Sequence, residues 1–155
     1  MAMRLVTEPL ITRGLVLAAG VEALQGQVVS PSAAGAVLSD GEADGDNPAA
    51  RSHYWVLTGT DRPDAAEAGS VGVVGAPFVA DIDVDGFVDA AAVAALAVGD
   101  NLVITTGVGA TGRLRELTAD EEALDAIGDT PANRGVVGHV ERVALNGFVR
   151  VKINK

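Results

Sequence analysis

The chain has 155 residues, 48% of them apolar, with 21 acidic against 11 basic side chains, no cysteine and a net charge of −10. That length can bury a core without covalent staples, and the missing thiols exclude a disulfide framework and any thiolate nucleophile or metal site. The acidic balance opposes the phosphate backbone of nucleic acid and an anionic membrane surface, and no stretch approaches the ~20 apolar residues of a spanning helix, so a soluble protein made in the cytoplasm is expected, with neither as partner. Lysine occurs only at Lys152 and Lys155, amid abundant Asp, Ala, Gly and Val, a composition that fits a GC-rich or halophilic source. Aromatic residues are confined to Tyr54, Trp55, Phe78, Phe87 and Phe148, so small side chains must fill the core, as suits thin β-layers.

Residues 1–9 mix apolar and polar side chains and end at Pro9, the pattern of an extended N-terminal arm before a single β-rich domain over 10–155. Strands are predicted at 10–17, at 26–29 before Ser30, Pro31 and Ser32, and at 36–38. Residues 40–50, DGEADGDNPAA, read as an exposed acidic loop. Strand composition resumes from Tyr54 to Leu57, and residues 58–69 form a second surface loop. Strands at 70–75 and 78–84 follow, with Pro77 confined to a bulge or edge because it cannot donate to a ladder. Asp85-Gly86 reads as a type I′ hairpin turn into Phe87 and Val88, and a helix is predicted from Ala90 to Val98, stopped by Gly99.

Beyond a strand from Leu102 to Thr105, Gly107-Val108-Gly109-Ala110-Thr111-Gly112 fits the G-x-G-x-x-G spacing of dinucleotide-binding loops. A phosphate cradle needs a helix to open at the glycines, since its N-terminus supplies the N–H groups and dipole. Arg113 to Leu117 alternates polar and apolar instead, and the first helix signal is the Thr118/Glu121 capping box. The glycines are therefore a bend between two strands that pair with each other or with the closing hairpin. A second helix is predicted from Thr118 to Ile127, where Asp120, Glu121 and Glu122 suit the positive end of the dipole. A strand over 135–145, an Asn146-Gly147 turn and a strand over 148–153 close the chain, with Val149, Val151 and Ile153 on one face and Arg150 and Lys152 on the other. The fold expected is mainly β, a small β-barrel or β-sandwich of about 8–11 short strands with one or two short helices.

Asp81, Asp83 and Asp85 with Gly86 match the opening of a D-x-D-x-D-G calcium loop, yet Ala92 stands where the closing bidentate Glu belongs. The alternative is that these aspartates line the solvent face of a strand whose Ile82 and Val84 face the core. His53 and His139 each lack a second histidine at ligand spacing, and Ser30, Ser32, Ser39, Ser52 and Ser70 read as turn or loop serines outside any G-x-S-x-G elbow. No catalytic set, cofactor site or metal site stands out, and no enzyme is expected.

The segments Gly99-Asp100-Asn101-Leu102-Val103, Gly112-Arg113-Leu114, Val137-Gly138-His139-Val140 and Asn146-Gly147-Phe148-Val149-Arg150-Val151-Lys152-Ile153 resemble the turn-and-strand phrasing of tailed-virus head decoration, or capsid cement, proteins. The run from Gly69 to Phe78 looks like the earlier strand pair of that architecture. The resemblance implies a β-rich homo-oligomer, a trimer by preference, on the outside of an icosahedral capsid, with the major capsid protein as partner, a virion location, and no catalysis or cofactor. Under it Met3, Arg4, Leu5, Val6, Leu10 and Ile11 contact a neighbouring subunit or the shell, and Tyr54 and Trp55 are aromatic anchors, the alternative for Trp55 being a core position. A tail or baseplate subunit shares this composition. A hydrolase or calcium-binding module built on the acidic loops at 40–50 and 81–89 is the reading outside the structural class.

Overall fold

In the last strand of the chain, alternation decides which side chains leave water. The computed structural model describes residues 3–39, 53–58, 69–105, 112–118 and 136–154. Strands β10 (Val136–Leu145) and β11 (Phe148–Ile153) pair across Asn146 and Gly147, both at positive φ, as a type I′ turn requires. Val149, Val151 and Ile153 are fully buried, while Lys152 is exposed.

The remaining strands are β1 (Met3–Leu5), β2 (Ile11–Val16), β3 (Val28–Ser30), β4 (Val37–Leu38), β5 (Tyr54–Thr58), β6 (Ser70–Gly75), β7 (Phe78–Asp83), β8 (Asn101–Ile104) and β9 (Leu114–Glu116). They form two antiparallel sheets, ordered β1-β7-β11-β10-β8-β9 and β2-β6-β5-β3-β4, so the fold is mainly β, and the described residues form no closed barrel. Val28, Trp55 and Val74 of the smaller sheet join Phe78, Ala80, Ile82, Val140, Val149, Val151 and Ile153 of the larger in one core. The opposite face of the smaller sheet is apolar too, where Val29, Val56, Val71 and Val73 pack with Leu17, Ala23 and Ala36. Leu102 to Ile104 pairs with both β9 and β10, as the reading of the glycine run as a bend requires.

One margin of the two layers is stitched shut. The Gly112 N–H donates to the Ser39 carbonyl at 2.8 Å, and its carbonyl accepts from the Val28 N–H at 2.7 Å. A side chain at Gly112 would meet the Val28 carbonyl at 2.8 Å, and its φ is +76°, so both space and backbone call for glycine. At the other margin lie β1 and β2, the first strand of each sheet.

Several expectations are corrected. Within the segment expected as an arm, Met3, Arg4 and Leu5 form a sheet strand instead: they pair with Ile82, Asp81 and Ala80, and Met3 is buried. Three residues are too few for their alternation to stand out in the sequence. Asp85-Gly86 does not turn a hairpin; Val84–Gly86 forms one 3-10 turn, and Phe87 continues to a parallel bridge with Leu114, fully buried. A hairpin there would need a free edge on β7, and β1 and β11 already occupy both. Val84 is exposed rather than core-facing. The alanine-rich helix is α1 (Ala90–Ala95), capped by the Asp89 carboxylate accepting from the Ala92 N–H at 2.6 Å, and it stops before Val98 because Leu96 is already extended. The acidic loop at 40–50, nearly all of the second loop, the glycine run before Gly112 and the helix predicted after Thr118 lie outside the described residues.

Removing residues 1–5 takes away a buried methionine and an edge strand, so it lowers the stability of the fold itself, by about 3 kcal/mol, read as a lower urea midpoint. At Gly138, in register with Ile153, a β-carbon would run into the Lys152 carbonyl. Gly138→Ala therefore costs about 2 kcal/mol in the same assay, and an unchanged midpoint would show that β10 and β11 are not so closely apposed.

Candidate functional site

On β7, Ala80 and Ile82 point into the core, so the period of two turns Asp81 to the opposite face. That face is covered there by arginines. In register, Arg4 lies opposite Asp81, Asp81 opposite Arg150, and Arg150 opposite Arg142, one line across β1, β7, β11 and β10. Arg150 donates to Asp81 through Nε at 2.8 Å and Nη2 at 3.1 Å, Arg4 through Nη2 at 2.8 Å, and Arg142 through Nη2 at 3.4 Å. Asp81 is 0% exposed, and the Arg4 guanidinium also stacks on the Phe148 ring at 5.6 Å. Hydrogen bonding to Arg150 lowers the Asp81 carboxyl to about 2 against the opposing effect of burial, with Arg4 adding to it. The same bond raises Arg150 above its usual range.

This arrangement overturns a solvent-facing Asp81 and leaves its carboxylate committed to guanidinium groups rather than to a metal ion. Asp83 is engaged locally: its Oδ1 accepts from the Asp85 N–H at 3.0 Å, and burial pushes its carboxyl up. Among the described residues no group of three or more histidine and carboxylate side chains is placed to hold a metal ion.

The residues read as partner contacts separate into two sets. Met3 and Trp55 are buried in the core, Trp55 edge-on to Phe78 at 5.4 Å, and Leu5 packs against that core, so these three face inward. Tyr54 is half-buried; its hydroxyl accepts from Arg13 at 3.0 Å, with the guanidinium 5.0 Å from the ring. Arg4 belongs to the arginine line. Val6, Leu10 and Ile11 stay exposed, and Val16 joins them. Along β2, Thr12 lies opposite Val74 and Val16 opposite Ser70, so Thr12, Gly14 and Val16 share the face that carries Val74 into the core. All three are exposed, Val16 at 60%, and Leu10 beside them at 83%; the core-facing side of this margin is uncovered.

A third grouping was not visible in the sequence. Ser30 at the end of β3, Ser39 after β4 and His53 before β5 meet because β3 pairs with both other strands. The serine hydroxyls are 3.1 Å apart, and His53 Nδ1 lies 3.2 Å from Ser30 and 3.1 Å from Ser39. Both serines are only 3% exposed, and these contacts tie the ends of three strands together. His139 stands apart on β10, opposite Lys152 and Asn101. No known family model, curated protein or solved structure matches the chain.

The low Asp81 value has a definite sign. A carboxylate titrating at about 2 in the fold and near 3.8 unfolded contributes stability above about pH 4, lost as pH falls toward 2. The loss is on the order of 1–2 kcal/mol, since water reaches the arginines and screens them. Urea unfolding at pH 6, 4, 3 and 2 reads it. Asp81→Asn should cost about 3 kcal/mol at pH 6 and flatten the decline below pH 4.

Proposed function

We propose that the protein is a structural subunit of a virus particle, bound in many copies to the outside of the capsid as a decoration protein, and acting through contacts rather than catalysis. The single observation that supports this most is β2. It ends its sheet, and the residues that continue the core face along it, Thr12, Gly14 and Val16, are exposed together with Leu10. Monomeric β-proteins blunt such margins with charge, proline or a covering segment, because an open edge with apolar side chains invites another chain. A neighbouring subunit or the shell laid against β2 extends the ladder and covers these side chains, burial worth about 25 cal/mol per Å². Repetition over a shell then lets modest single contacts act together.

Leu10→Lys with Val16→Lys places two charges at that margin without touching a buried residue. The doubly substituted protein should keep the parent melting temperature within about 2 °C and fail to decorate particles in electron micrographs. Normal decoration by the variant would refute the β2 contact, and micrographs locating the parent on the tail or baseplate would refute the capsid assignment.

A further inference from the structure

The line of arginines holds more positive charge than Asp81 can match. Three guanidinium groups against one carboxylate leave two positive charges over, on a chain whose net charge is −10. Their distribution is uneven. Arg150 is gripped through two nitrogens and Arg4 at 2.8 Å, whereas Arg142 reaches the same carboxylate through one bond at 3.4 Å. The Arg142 Nε is buried with no hydrogen-bond partner among the described residues. Arg142 and Arg150 also stand directly opposite each other on paired strands, where like charges repel unless an anion lies between them. Asp81 Oδ1 accepts from both, but at 2.8 Å from Arg150 and only 3.4 Å from Arg142, so Arg142 is the less satisfied of the two. Glu141 acts on Arg150 through its charge.

We propose that the outward face of the larger sheet binds an oxyanion, a phosphate or carboxylate group, between Arg142 and Arg150. Both side chains are open to water, at 37% and 29%, so the anion approaches from solvent. Asp81 holds Arg150 through Nε and Nη2, which fixes the plane of its guanidinium and leaves Nη1 directed elsewhere. Arg142, with a single long bond, has donors to spare for a second acceptor. In the next row along the sheet, exposed Lys152 opposite His139 adds positive charge to the approach. The site lies on the other sheet from β2 and does not depend on the decoration reading.

The test is calorimetric titration of the full chain at constant ionic strength with two probes, inorganic phosphate and a hexaglutamate peptide. Saturable binding of at least one probe is expected, weakened tenfold or more by Arg142→Gln and unchanged by Arg13→Gln, which alters a cation on the smaller sheet. Phosphate binding alone identifies a free ion as the source, and tighter peptide binding identifies carboxylates of a protein partner. In the unsubstituted protein the Arg142 Nε–H resonance should shift on saturation, a readout that does not rely on a variant folding. Absence of saturable heat with both probes, equal affinity in Arg142→Gln, or an unmoved Nε–H resonance would overturn the proposal.

Discussion

Asp81 is withdrawn from water on the outer face of a sheet, and the register of four strands answers to it. A buried carboxylate without partners is too costly to retain, so β1, β11 and β10 must each deliver an arginine to the same line. Any one-residue slip of a neighbouring strand would send its arginine to the core side and strand the charge. Hydrophobic burial supplies the driving force for the sandwich, but apolar residues of similar size tolerate exchange. The ionic line does not, and it specifies which strands are neighbours. It also draws the first residues of the chain into the domain, because Arg4 is one of its members.

The two margins of the sandwich have opposite characters. At one, Gly112 ties the sheets through backbone hydrogen bonds, and at the other β2 carries uncovered apolar side chains. An assembly subunit benefits from this asymmetry: one margin holds the layers together while the other remains available. The arginine line adds a separate polar surface on the far face of the larger sheet, so apolar and ionic contacts occupy different sides of the molecule.

Much of the fold was legible where local chemistry was decisive. Alternation from Phe148 to Ile153, the Asn-Gly turn and the strand period after Gly112 each have one good solution, and the structure adopts them. Elements set by distant partners were not legible. Met3 to Leu5 is a strand because β7 offers an edge, and Asp85-Gly86 turns no hairpin because β1 and β11 then occupy both edges of β7. The spacing that suggested calcium around Asp81 was read without the arginines, which stand 77, 61 and 69 positions away in sequence. The contact of Ser30, Ser39 and His53 likewise depends on strand order alone.

The apolar character of both faces of the smaller sheet bears on how that sheet avoids mispairing. In β6, Val73 and Val74 point to opposite sides and both are buried, so a shift by one position would exchange one valine for another at the centre of the strand. Polarity cannot act as the proofreader here, and shape must. A β-carbon at Gly75 would lie 3.2 Å from Ile11, tighter than ordinary packing, and in contact with the Tyr54 ring at 3.4 Å, so a shift bringing a valine to that place would crowd Ile11 on β2. The residue with the least chemistry in the strand thus adds to the alignment through the volume it leaves empty.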